Sequence, residues 1–243
     1  MSGETDRLYL RLLGRLEVHR GALALPVPAS RKTRAILGFL ALSPRPVSRQ
    51  RLCDLFFDIP DDPRAALRWS LTKIRPLVDE PGRPRLLAER DALRLDLAGA
   101  EVDAHAALAT AAQPLAELPS SRRQRALDQL SADLLEDCDL PDRPEYAAWL
   151  AAQRQDFRAI VLKLASAEAQ ASEGEARISA LRRLLALDPL DEAAAASLAR
   201  ALMAAGRRDE AHALAATTER QLRQAGLQAG PTVRLALRSM PPD

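Results

Sequence analysis

The chain opens on short, alternating hydrophobic patterns. LYLRLLG (8–14) is an apolar, partly alternating run, RLEVHR (15–20) alternates more strictly, and Gly21 offers a tight turn before ALALPV (22–27). Period-two runs bounded by turn residues predict short strands. Pro26 and Pro28 close this region, because proline cannot donate to a strand ladder. From Ser30 the period changes. In SRKTRAILGFLALSP, Ala35, Ile36, Phe39, Leu40 and Leu42 form a helical stripe that Pro44 and Pro46 terminate. Ser48 then suits the N-cap of a second helix, RQRLCDLFF, with Leu52, Leu55 and Phe56 inward. Asp62 and Pro63 suit the cap and first position of a third, since proline's missing N–H is not needed there.

That third helix contains LRWSLTKIRPL (67–77). At about 100° per residue, Leu71, Ile74 and Val78 lie within about 40° of Leu67, which defines the inward stripe. Arg64, Arg75, Arg68 and Thr72 occupy roughly 60–140° on the outward side, with Trp69 and Lys73 on its far flank. Pro76 removes a helical hydrogen bond and is expected to kink or end the helix near its last turn. Trp69 is expected to pack against a neighbouring helix or hairpin. Two further strands are predicted in RPRLLAERDALRLDL, around 85–89 and 92–96, turning at Arg90-Asp91. Strands, three helices and a closing hairpin make the plan of a winged helix.

Near Gly99 the pattern becomes wholly helical. Helices are predicted at about 102–112, 119–135, 144–171, 175–187, 191–205, 208–225 and 231–239, punctuated by proline and glycine. A repeat is visible in ALRRLLALDPLDEAAAASLARALMAAGRRDEAHAL: Leu198, Ala199, Gly206 and Ala211 hold the spacings of a tetratricopeptide unit, and Ala165 precedes Ala199 by 34 residues. Ala215 stands where that unit would carry a bulky side chain, so a generic helical bundle stays open beside it.

Composition supports this division. The chain has 243 residues, 47% hydrophobic and only 3% aromatic, which favours helix packing over a large sandwich or barrel. Its net charge of +2 hides an asymmetry: residues 1–98 hold 18 Lys/Arg against 12 Asp/Glu, whereas 99–243 hold 17 against 21. A polyanion would therefore meet the first part. Cys53 and Cys138 form no metal-ligand pattern, and His19, His105 and His212 are isolated, so no metal or cofactor is expected. No serine sits in a nucleophile elbow and no GxxxxGK[ST] occurs, so the protein is not expected to be an enzyme. MSGETDR lacks a signal-peptide core and no apolar run spans a bilayer; a cytoplasmic protein without membrane contact is expected.

A basic helix face can be merely solvated. Context favours a reading face: Arg can bridge guanine O6 and N7, and Thr or Lys can bond base edges or phosphates. Arg31, Lys32 and Arg34 start the first helix, Arg49 and Arg51 the second, and Arg83, Arg85 and Arg90 lie at the hairpin. These would hold phosphates while the third helix reads bases.

The motifs LRLLGRLEVHR, SRKTRAILGFLALSPRPVSRQRLCDLFF, DDPRAALRWSLTKIRPLV, RPRLLAERDALRLDL, the EVD junction at 101–103 and LRRLLALDPLDEAAAASLARALMAAGRRDEA together resemble the SARP-type regulators, the Streptomyces antibiotic regulatory protein family. The resemblance covers nearly the whole chain and is weakest over 105–145. It implies an α+β N-terminal OmpR-type winged helix-turn-helix domain at 1–98, followed at 99–243 by an all-α bacterial transcriptional activator domain of tetratricopeptide-like hairpins. It implies a transcription regulator bound as a homodimer to double-stranded promoter DNA and contacting RNA polymerase. Arg64, Arg68, Thr72, Lys73 and Arg75 match the recognition helix, and Arg85 and Arg90 the wing; Arg49 and Arg51 join them as phosphate contacts. FFDIPDD departs from the family's tryptophan-containing turn, and AHALAATTERQLRQAGLQAG lacks its usual tyrosines. Those departures leave an alternative: a protein-interaction scaffold whose winged helix no longer reads DNA.

Overall fold

A computed structural model describes residues 7–58 and 62–227. The predicted helix at 231–239 lies outside the described residues. By packing, the chain forms two units: residues 1–109 with 129–157, and residues 110–128 with 158–243. The packing units therefore do not coincide with a division at 98/99, since β7 (Glu101–Val102), most of α4 (Asp103–Ala111) and residues 129–157 fall in the first.

In the first unit, β1 (Leu8–Arg11), β2 (Glu17–Arg20) and β3 (Leu23–Leu25) form an antiparallel meander, and β7 adds in parallel to β1. This parallel strand was not predictable from a two-residue segment. Asp103 fixes it in place: its carboxylate accepts the N–H groups of Leu12 and Leu13 at 2.8 and 3.0 Å, and that of Ala104 at 2.7 Å. Next come α1 (Arg31–Leu42), β4 (Val47–Ser48), α2 (Arg49–Phe56), α3 (Pro63–Val78), and the hairpin β5 (Leu86–Glu89) and β6 (Ala92–Leu95). Ser30, Ser48 and Asp62 cap the three helices, each side chain accepting a first-turn N–H. Strand β4 pairs with β6, giving a second sheet in the order β4-β6-β5. Leu67, Leu71, Ile74 and Val78 are buried as the helical stripe requires. Pro76 does not break α3, which ends two residues beyond it.

The predicted helix at 119–135 stops earlier. Helix α5 (Ser120–Gln129) ends at Gln129, and the following segment crosses to the first unit's core. Leu134 bridges Leu13, the Leu135 N–H donates to the Leu12 carbonyl, and Leu135 adopts a left-handed backbone (φ 52). That conformation is strained for a residue with a Cβ, and packing sustains it: Leu135 is fully buried over Gly38 of α1. The start of α6 (Pro144–Ala171) completes the core, where Phe39 meets Trp149 at 4.6 Å and Phe56 meets Tyr146 at 5.0 Å between ring centroids.

Among the described residues the second unit is helical, with α5, the rest of α6, α7 (Gly174–Leu187), α8 (Glu192–Ala204) and α9 (Arg208–Gln224). Neighbouring helices α7, α8 and α9 pack as successive hairpins through Ile178, Leu181, Leu198, Leu202 and Ala211, and through Ala195, Ala199 and Ala215. Alanine at these contacts lets the backbones approach closely, which accounts for Ala215 where a larger residue was usual. Gly206 turns α8 into α9 at φ 74, with the Arg207 N–H bonded to the Leu202 carbonyl at 2.9 Å. Arg123 and Glu168 form a buried ion pair at 2.7 Å. Burial works to raise the Glu168 carboxyl, but hydrogen bonds from Ser120, Arg123 and Gln124 outweigh it and hold the group below its ordinary value. Among the described residues no helix is long and apolar enough to cross a membrane.

A Cβ at Gly38 would stand 2.7 Å from both δ-carbons of Leu135. Gly38→Ala is therefore expected to destabilise the protein by about 1–3 kcal/mol, measured by chemical denaturation. An unchanged midpoint would show that Leu135 can retreat without penalty.

Candidate nucleic-acid interface

Helices α2 and α3 pack on one another and α3 also packs on α1, so the α3 stripe is consumed by the core and its opposite face is left to solvent. Arg64, Arg68, Trp69, Thr72 and Lys73 are all exposed there, and Arg75 is partly exposed. Arg64, Arg68, Thr72 and Arg75 line a cleft of about 690 Å³ with Ser48, Arg49 and Gln50 at the start of α2, and with Asp91 at the hairpin turn. The main chain holds these three elements together, because the Arg49 N–H donates to the Asp91 carbonyl at 2.8 Å and β4 pairs with β6. Four guanidinium-bearing residues from two helices thus converge on one hollow. Arg49, Arg64 and Arg68 have no ion-pair partner among the described residues.

The cleft is not uniformly basic. Asp91 contributes a carboxylate at its hairpin edge, and Arg75 pairs with Asp79 at 3.2 Å. The Thr72 hydroxyl donates to the Arg68 carbonyl at 2.9 Å, which leaves its oxygen lone pairs as acceptors. Arg90 is exposed at the β5–β6 turn, beside Asp91.

One expected contact is corrected, and another is engaged in a surface ion pair. Arg85 is only 2% exposed, and its guanidinium is bound to Glu80 at 2.9 Å and to the carbonyls of Asp96 and Ala98 at 3.1 and 2.9 Å. A side chain so enclosed cannot serve as a phosphate contact; it fastens the base of the hairpin. Arg51 is exposed but is not among the cleft-lining residues, and it pairs with Glu145 at 2.6 Å. The basic start of α1 is likewise engaged: Arg34 pairs with Asp137 at 2.8 Å, Lys32 lies 3.9 Å from Asp142, and Arg31 donates to the Asp139 carbonyl.

Trp69, expected to pack inward, instead stands 54% exposed, with the Lys73 ammonium 5.6 Å from its ring centroid. Sequence reasoning also missed Gln50 and Asp91 as lining residues. The capping serine at 48 was the available signal for Gln50, since it puts the first turn of α2 at the surface.

Among the described residues no group of three or more His, Cys, Asp and Glu could hold a metal ion. Both cysteines are buried and free; burial raises the Cys53 thiol and pushes Cys138 up to about 12. His19 is a strand residue paired with Glu17 at 3.0 Å.

Among solved structures, Mycobacterium tuberculosis EmbR in complex with a low affinity phosphopeptide is similar to this chain, with a TM-score of 0.72 at 24% sequence identity, over 98% of this chain and 67% of that one. No protein-family model matches the chain, and no curated protein matches it significantly. The similarity establishes the fold: an α+β winged-helix region followed by an all-α helical-repeat region.

The two classes of arginine should separate in denaturation experiments. Arg85→Ala, which strands Glu80 and the Asp96 carbonyl, is expected to lose about 3 kcal/mol of stability, whereas Arg64→Ala and Arg68→Ala stay within about 0.5 kcal/mol of the parent. Equal losses would contradict this division. Because both thiol pKa values are raised, the protonated, unreactive form holds at neutral pH. A colourimetric thiol reagent at pH 7.5 should therefore label neither cysteine until denaturant is added; rapid native labelling would refute the burial.

Proposed function

We propose that this protein is a sequence-specific, double-stranded-DNA-binding transcriptional regulator that lays α3 in the major groove. The carrying observation is the convergence of Arg49, Arg64, Arg68 and Arg75 on one open cleft beside the exposed face of α3. The B-form major groove admits one α-helix, and its base edges offer acceptors that guanidinium groups match. Arg64 and Arg68 are the base readers. Thr72, with its proton already committed to the Arg68 carbonyl, accepts from an exocyclic amine. Arg75, tied to Asp79, and Arg49, at the start of α2, hold backbone phosphates. Lys73 reaches the backbone from the far flank, and Arg90 carries the hairpin turn onto the backbone or into the adjoining minor groove.

In this reading residues 1–98 are the DNA-binding module and 99–243 an activator module that contacts RNA polymerase, two copies of the chain acting together on promoter DNA. The SARP-type motifs in both segments and the fold shared with the mycobacterial protein support that assignment.

Selection of bound sequences from a random duplex pool tests it. A motif should emerge, and Arg68→Ala should relax preference at one position by about 1–3 kcal/mol. Arg49→Ala and Arg90→Ala should weaken all sites alike and each lower the salt slope by about one. A folded protein that enriches no motif at moderate salt overturns the proposal and favours the scaffold alternative.

A further inference from the structure

Trp69 is the one aromatic among the exposed large hydrophobic side chains of the described residues. Burying an indole is strongly favourable, so leaving half of it in water needs a compensating use. Its position narrows that use. On α3 it lies about 60° round the helix from Thr72 and about 100° from Arg68, within the outward arc. It is held there from one side, because Lys73, one turn on, places its ammonium over the ring. A surface built of an indole flanked by Arg64, Arg68, Thr72 and Lys73 does not suit an apolar protein partner, which would have to bury three cations without counter-charges. A DNA groove supplies phosphates for the cations and, on its floor, one apolar group that protrudes: the 5-methyl of thymine.

We infer that Trp69 is a specificity-determining residue, whose indole face packs on a thymine methyl in the major groove. The inference rests on the DNA-binding reading above and adds an apolar element to a polar one. Arg64 and Arg68 select guanine by hydrogen bonds, whereas the indole selects thymine by shape and desolvation. Lys73 does not read a base in this arrangement. It braces the indole and meets the phosphate next to that thymine.

Deoxyuridine differs from thymidine at the base only by the missing methyl, so it isolates this contact. With the full chain and a duplex selected by the wild-type protein, each thymine within the motif is replaced in turn by deoxyuridine, and affinities are compared for wild type and Trp69→Ala. One replacement is expected to weaken wild-type binding about fourfold, the value of one buried methyl, and to leave Trp69→Ala binding unchanged. Trp69 is exposed, so the variant retains its fold, which circular dichroism verifies. If wild type and variant respond alike at every thymine, or if Trp69→Ala binds the selected duplex as tightly as wild type, the inference fails while the DNA-binding reading stands. If wild type selects no duplex at all, the DNA-binding reading itself fails and the indole contact falls with it.

Discussion

Asp79 is the joint on which the site depends. It follows the last residue of α3, and nearly every polar atom it owns is committed. Its N–H donates to the Arg75 carbonyl at 2.8 Å, ending the helix, and its own carbonyl accepts from Arg20 of β2 at 2.9 Å. One carboxylate oxygen accepts the N–H groups of Arg85 and Leu86 at 2.8 and 2.9 Å, where the hairpin begins; the other accepts from the Arg75 guanidinium. A single residue thus ties α3, the N-terminal sheet and the hairpin to one another, the sheet through its main-chain carbonyl and the hairpin through its carboxylate. Charge-assisted bonds of this kind are stronger than neutral ones and hold direction. At the other end of the cleft, the Arg49 N–H bond to the Asp91 carbonyl and the β4–β6 pairing hold the start of α2 to the hairpin turn.

The basic surplus of the N-terminal segment is sorted by burial rather than spread over the surface. Arg85 closes the base of the hairpin, Arg34 and Arg31 tie α1 to the 137–139 segment, and the buried Arg143 pairs with Asp58. Each of these charges is answered by a carboxylate or carbonyl, as a low-dielectric setting demands. Arg49, Arg64, Arg68 and Arg90, on the α2, α3 and hairpin side, have no ion-pair partner among the described residues. The cations that this face keeps exposed, while their neighbours are consumed internally, are those the proposed DNA contact would use.

The all-helical unit follows another logic. It is built from alanine and leucine at close helix contacts, and its buried ion pair, Arg123 with Glu168, is satisfied by hydrogen bonds from Ser120 and Gln124. A network so complete leaves no polar group reaching for a ligand, and its role is to set how the end of α6 meets the chain that precedes α5 and α5 itself.

The sequence by itself determined the local elements. Capping residues at 30, 48 and 62, the stripe Leu67, Leu71, Ile74 and Val78, the turn at Arg90-Asp91 and the alanine-rich hairpins all declare themselves within a few residues, because helix and strand periods and first-turn hydrogen bonds are short-range effects. Only the tertiary structure decided which charges face solvent. Arg85 and Arg90 look alike along the chain, yet one is enclosed by carbonyls 11 and 13 residues away and the other stands at the tip of the turn. Likewise, nothing near Leu135 announces that it must leave a predicted helix to cover Gly38, nearly a hundred positions earlier. Trp69 was left in solvent for the same reason: periodicity places a side chain on a face, but whether that face is covered depends on partners distant in the chain, which no local pattern encodes.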